Sequence, residues 1–147
     1  MNFVVERDPL IDAVNWVARS LSARPIQTAL LGIMIDVTDV ITLTGSDLET
    51  STKASISADI NTKGKVLVPG RLLAEIARSL PAKPISFTLD GTRVLVKAGS
   101  AKFTLPTLPA NEYPNLPELP QAAGSIPGDV FATAVQQVAI AAGKDDS

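Results

Sequence analysis

An α+β fold is predicted, built from a duplicated β-α-β-β-β unit. Three observations predict it. The stretch Val68-Pro69-Gly70-Arg71-Leu72-Leu73 returns in kind as Ile126-Pro127-Gly128-Asp129-Val130-Phe131: an apolar residue, Pro-Gly, a charge, two apolar residues. Its continuation, Ala77-Arg78-Ser79-Leu80-Pro81-Ala82, is matched almost letter for letter by Ala18-Arg19-Ser20-Leu21-Ser22-Ala23. Finally, segments of strand length and strand pattern follow each of the first two copies. A strand-to-helix unit thus recurs near residues 8, 70 and 129. A spacing of about 60 residues exceeds the usual solenoid periods and leaves room for one helix plus several strands.

Taken in order, Asn2 to Glu6 reads as a strand. Asp8 is placed to cap a helix, with Pro9 in its first turn. Leu10, Ile11, Val14, Val17, Ala18 and Leu21 then form one apolar stripe at helical period, with Asp12, Asn15, Arg19 and Ser22 opposite. Arg24-Pro25 closes that helix, because a residue before proline avoids the α region. Ala29 to Val37 is a dense apolar run, and Val40 to Thr44 a short strand. From Leu48 to Ile60 apolar and polar residues alternate, the signature of a strand with one buried and one wet face. The cycle restarts with a strand over 65–68 and a second helical stripe at Leu72, Leu73, Ile76, Ala77 and Leu80, with Arg71, Glu75 and Arg78 opposite. Pro81 and Pro84 end it. Strands over 85–89 and 92–97 are joined through Asp90-Gly91, a strong hairpin signal, and Gly99-Ser100 turns into a last strand over 101–105.

Five prolines between Pro106 and Pro120 read as an extended connector. A strand over 122–126 and a third helix from Asp129 to about Ala142 are expected next. Residues 1–120 therefore form one domain whose tail, 106–120, is the connector, and 121–147 read as the opening of a second domain cut short.

Composition excludes several kinds of chemistry. The 147 residues contain no cysteine and no histidine, which removes thiolate sites and the commonest general base and metal ligand. The N-terminus lacks the pattern of a signal peptide, and no apolar run reaches membrane-spanning length, so a cytoplasmic protein is expected. A net charge of −2 argues against a classical nucleic-acid binder, although a global sum says little about local patches. No phosphate loop, nucleophile elbow or metal cluster is present in the sequence, and no cofactor is expected.

Two groups of residues remain as candidates. Asp47 and Glu49 flank Leu48, so on a strand both carboxylates face one side, where a pair could do acid–base work in a small hydrolase or ligand-binding domain; the alternative is a solvated strand start. Arg19 and Arg78 hold equivalent places near the ends of the two helices. They either complement the helix dipoles or present cations to a polyanion. Arg24 fits neither core nor cap and is a better contact candidate. Trp16 is expected to pack in the core or on the helix flank. Arg93, Lys97 and Lys102, with Phe103 and Leu105, lie on the last two strands, either as charges that block edge pairing or as an edge meant for another subunit.

The chain resembles the bacterial β sliding clamp family, the β subunit of DNA polymerase III. The resemblance rests on Phe3-Val4-Val5-Glu6-Arg7, Ala23-Arg24-Pro25, Leu43-Thr44-Gly45-Ser46-Asp47-Leu48-Glu49, Val68-Pro69-Gly70-Arg71, and Phe103 to Pro109 with Tyr113-Pro114. These run in order over about 115 residues, and the third unit continues them. The resemblance implies the DNA-clamp fold, with two helices packed on a curved antiparallel sheet, and a homodimeric ring around double-stranded DNA, acting as a non-catalytic processivity factor of the polymerase III holoenzyme. It implies DNA contacts from Arg24, Arg71, Arg78 and Arg19, and a dimer interface over Arg93, Lys97, Lys102, Phe103 and Leu105. Polymerase and clamp loader would bind through domains beyond this stretch. Ser100 stands where an arginine is found in some relatives, which makes the interface less basic.

Overall fold

The computed structural model describes residues 1–22, 24–116 and 121–143. They fall into two units, Met1–Leu116 and Pro117–Ser147. The first unit holds nine strands and two α-helices among its described residues: β1 (Asn2–Val5), α1 (Arg7–Ala18), β2 (Gly32–Val37), β3 (Ile41–Ser46), β4 (Ser51–Ile56), β5 (Asp59–Thr62), β6 (Gly64–Pro69), α2 (Gly70–Ser79), β7 (Ile85–Asp90), β8 (Arg93–Ala98) and β9 (Ala101–Pro106). A third helix, α3 (Gly128–Ala139), lies in the second unit.

The sheet divides in two, and the division does not follow the repeat. One antiparallel sheet has the order β5-β1-β7-β8-β9, the other β4-β3-β2-β6. The opening strand of each repeat has crossed over. β1 pairs with β7 of the second repeat, and β6 pairs with β2 of the first. Each repeat thus lends its first strand to the other's sheet, and a single core cluster from Phe3 to Leu105 draws on both. Phe3 and Phe87 face each other in register, their rings stacked with centroids 4.9 Å apart, and both are buried. Phe87→Ala should destabilise the unit by about 3–5 kcal/mol through lost burial and a cavity, and Phe87→Leu by about 1 kcal/mol. Urea unfolding followed by circular dichroism checks this; equal effects for the two variants would remove the pair from its central place.

Several expectations need correction. α1 starts at Arg7 rather than after an Asp8 cap; Asp8 sits in the first turn and pairs with Arg7 at 3.0 Å. The helix ends at Ala18, well before Pro25, because the Ser20 and Thr52 hydroxyls reach Val17 O at 2.9 and 3.2 Å and satisfy the helix end. The apolar run from Ala29 opens as a 3-10 turn over Thr28–Leu31 before β2 begins. The alternating segment 48–60 is two strands, β4 and β5, which lie in different sheets with Ser57-Ala58 at the crossing. Alternation reports that one face is buried, not which neighbour covers it. The hairpin loop is Gly91-Thr92, one residue later than Asp90-Gly91, since Asp90 pairs with Arg93 and Gly91 takes a φ of 56°.

The proline-rich stretch is not uniformly extended. Leu108 bridges to Leu67, Ala110–Glu112 form a 3-10 turn, and Tyr113 packs beside Ala29, Met34 and Leu67. Burial pushes the Tyr113 phenol up to about 12, and its hydroxyl donates to Thr44 O at 3.5 Å. Residues 117–120, the end of the expected connector, lie outside the described residues. In the second unit, residues 121–127 form no strand, so the expected strand over 122–126 is absent, and α3 ends at Ala139 rather than Ala142.

Candidate nucleic-acid interface

The two helices of the first unit run antiparallel. At one end Arg7 Nε donates to Leu80 O at 2.8 Å. At the other, Gly70 lies so close to Leu21 and Ile33 that a Cβ would meet Leu21 Cδ1 at 2.3 Å, so a side chain there would have to displace those two side chains. Both helices bury one face. For α1 this is Leu10, Ala13, Val14 and Val17; for α2 it is Leu73, Ala74, Ile76 and Ala77. The opposite faces are solvent stripes at helical spacing: Asp8, Asp12, Trp16 and Arg19 on α1, and Arg71, Glu75 and Arg78 on α2.

The structure therefore brings three of the four expected contact arginines onto neighbouring exposed stripes. Arg19 occupies the C-cap of α1, and Arg78 stands in the last turn of α2, where a cation suits the dipole. Arg71 is in the first turn of α2, where the dipole disfavours it, so its place there asks for another reason than helix stability. Arg24 is exposed on the loop after α1, its backbone N–H donating to Ser22 Oγ at 3.1 Å. None of the four forms an ion pair among the described residues. The charge pattern is also more mixed than a purely basic surface, because Asp8, Asp12 and Glu75 share the stripes. Trp16 departs from expectation: it is 51% exposed rather than packed, and the Arg19 guanidinium lies over its ring, 5.7 Å from the centroid.

The basic edge is a second surface. Among the described residues β9 ends its sheet and pairs only with β8. Ala98 and Ala101 flank a two-residue loop and form a hydrogen-bonded pair, so bonded pairs recur at Val96–Phe103 and Val94–Leu105. The backbone groups of Lys102 and Thr104 then point outward along the open edge. Arg93, Lys97 and Lys102 are exposed, and Lys97 and Lys102 stand directly opposite each other, a like-charge pair that costs stability unless something negative covers it. Leu105 must be removed from this surface. Its side chain is 0% exposed and belongs to the core, because the inward face of β9 alternates onto Ala101, Phe103 and Leu105. Phe103 is half-buried against the same core.

The carboxylate pair does not assemble. Asp47 and Glu49 lie in the turn between β3 and β4, not on a strand. Asp47 Oδ1 accepts from the N–H groups of Glu49 (3.1 Å) and Thr50 (2.6 Å), the turn-forming use of an aspartate. Leu48 between them has a φ of 82°, which reverses the chain and removes the shared face that a strand would give. No group of three or more acidic ligands that could hold a metal occurs among the described residues.

Comparisons with known proteins bear on the fold and the family. A family model described as the DNA polymerase III beta subunit, N-terminal domain, matches residues 1–117. The beta sliding clamps of Streptomyces coelicolor and Micrococcus luteus are each 51% identical over all of this chain, which covers 39% and 48% of their lengths. Among solved structures, the DNA polymerase sliding clamp of Bacillus subtilis superposes with a TM-score of 0.91 at 26% identity, over 100% of this chain and 42% of that one. The DNA polymerase III subunit beta of Pseudomonas aeruginosa gives 0.88 at 31% identity, over 99% of this chain and 41% of that one. The chain thus spans between about two fifths and half of the length of these relatives. With its first 117 residues matched and its fold shared along the whole chain, the protein belongs to the DNA polymerase III beta subunit family.

Proposed function

We propose that the chain supplies the first domain, and the start of the second at residues 121–147, of a sliding clamp that encircles duplex DNA and tethers a polymerase without performing chemistry. The observation that carries this reading is the antiparallel helix pair with Arg19, Arg71 and Arg78 on adjoining solvent stripes. Arginines spaced along exposed helices meet phosphates without reading bases. Contacts of this kind, many and individually weak, hold a ring near the backbone while leaving it free to slide, and they weaken with salt. The acidic residues interleaved with them keep each contact shallow. Arg24 adds a contact from the loop.

The open edge of β9 supports a homodimeric ring. Its outward Lys102 and Thr104 backbone groups offer strand addition, and Arg93, Lys97 and Lys102 favour an acidic partner strand, with Phe103 beside them at the edge. Polymerase and clamp loader would engage domains beyond this stretch, in the cytoplasm; no helix among the described residues is long and apolar enough to cross a membrane. The hydrolase alternative loses its basis, since Asp47 and Glu49 serve a turn.

The test is topological. A ring assembled from the full-length polypeptide should stay on circular duplex DNA and leave when the circle is cut. Retention that survives cutting contradicts the ring, and Arg24→Ala without any loss of DNA association contradicts the assigned contact.

A further inference from the structure

Each of the two arginines at the C-terminal ends of the helices is held by a neighbouring side chain of α1, and the two holders are adjacent in sequence. Arg78 donates through Nε and Nη2 to Asn15 Oδ1 at 3.4 and 3.3 Å, a contact that crosses from α2 to α1. Arg19 lies over the ring of Trp16, one turn earlier on the same helix. Neither holder is spent on the core: Trp16 is half exposed, and Asn15 lies on the solvent side of α1. Neither contact is an ion pair, so each fixes a guanidinium without neutralising it. The Nη1 donors of Arg78 remain uncommitted among the described residues, and the Arg19 guanidinium, 5.7 Å from the Trp16 ring centroid, is attracted to the ring face without giving a hydrogen bond to a polar partner.

We propose that Asn15 and Trp16 are positioning residues for duplex binding: they preset Arg78 and Arg19 with their donors directed at solvent, so that the side-chain ordering normally lost on binding phosphate is already in place. This rests on the DNA-binding reading above, and the test separates the two. Association of a short duplex is measured by fluorescence anisotropy across a range of KCl concentrations for Asn15→Ala, Trp16→Leu, Trp16→Phe, Arg19→Ala and Arg78→Ala, with thermal unfolding confirming that each variant is folded. Removing an arginine removes a phosphate contact and should flatten the salt dependence by about 0.9 in log–log slope. Removing a holder keeps the charge, so Asn15→Ala and Trp16→Leu should weaken binding about two- to fivefold with the slope unchanged, and Trp16→Phe, which retains a ring, should recover part of the loss. In the parent chain the single tryptophan should change its emission on adding duplex. If the arginine variants flatten the slope while the holder variants bind as the parent does, the positioning role is wrong and the DNA reading stands. If Trp16→Phe binds no better than Trp16→Leu, the ring does not act through Arg19 and the role is again wrong. If the arginine variants bind with unchanged affinity and slope, the DNA reading itself fails.

Discussion

Converting Arg19, Arg24, Arg71 and Arg78 together to alanine is expected to weaken duplex association by roughly a hundredfold at low salt and to flatten its salt dependence by about 3 to 4 in log–log slope. The four guanidinium groups are exposed and make no ion pairs among the described residues, so their charge is available to phosphate rather than absorbed internally. For the same reason the fold should tolerate the change, because exposed substitutions away from special features move stability by about 0.5 kcal/mol or less each. Sign provides the control. Asp12→Asn with Glu75→Gln removes two negative charges from the same stripes and should strengthen binding. Anisotropy titrations against KCl decide it. If the arginine variant lost affinity while the carboxylate variant did not gain any, local structure rather than charge on these two helices would be responsible. An unchanged slope in the arginine variant would mean that these helices do not meet the backbone at all.

What the sequence disclosed and what it hid divide along a physical line. The helices were legible because a 3.6-residue stripe such as Leu73, Ile76, Ala77 and Leu80 has one reading, and the Pro69-Gly70 entry marks where it starts. The arginine placement followed, since a residue opposite an apolar stripe has nowhere to go but solvent. The exchange of β1 and β6 between repeats was not legible, because period-two alternation carries no label for the partner strand. The break of 48–60 at Ser57-Ala58 was hidden for the same reason. The Asp47 and Glu49 face failed on one dihedral angle, Leu48 at a φ of 82°, a conformation that a leucine does not announce. Leu105 was put at the edge because the resemblance assigns the whole strand to an interface, whereas the inward face of that strand closes the core. Trp16 was expected to pack in the core or on the helix flank. Its exposure reflects the spacing Asp12, Trp16, Arg19, which the polar side of the helical stripe already contained.

The strand exchange leads to the largest expected effect on folding: residues 1–63 and 64–116, produced separately, should each be unfolded, and mixing them should restore the fold. The first half retains β2, β3 and β4 but loses β6, which covers the full length of β2 from Gly32 to Val37, while its own β1 loses β7 and keeps only the short, irregular pairing with β5. The second half retains β7, β8 and β9 but loses β1 from the Ile85 to Thr88 side, and its β6 is left with no strand at all. Neither half keeps a helix pair, since α1 and α2 come from different repeats and are joined by the Arg7–Leu80 and Asn15–Arg78 contacts. A chain of about 60 residues buries too little surface to fold with a margin even when its core is complete, and here each half holds part of one shared core. Far-ultraviolet circular dichroism of each half should therefore show a disordered spectrum. An equimolar mixture should recover strand and helix signal and unfold in a single transition whose midpoint rises with concentration, as mass action requires of a two-chain native state. A cooperative thermal transition in either half alone would mean that the repeat, not the exchanged pair, is the folding unit.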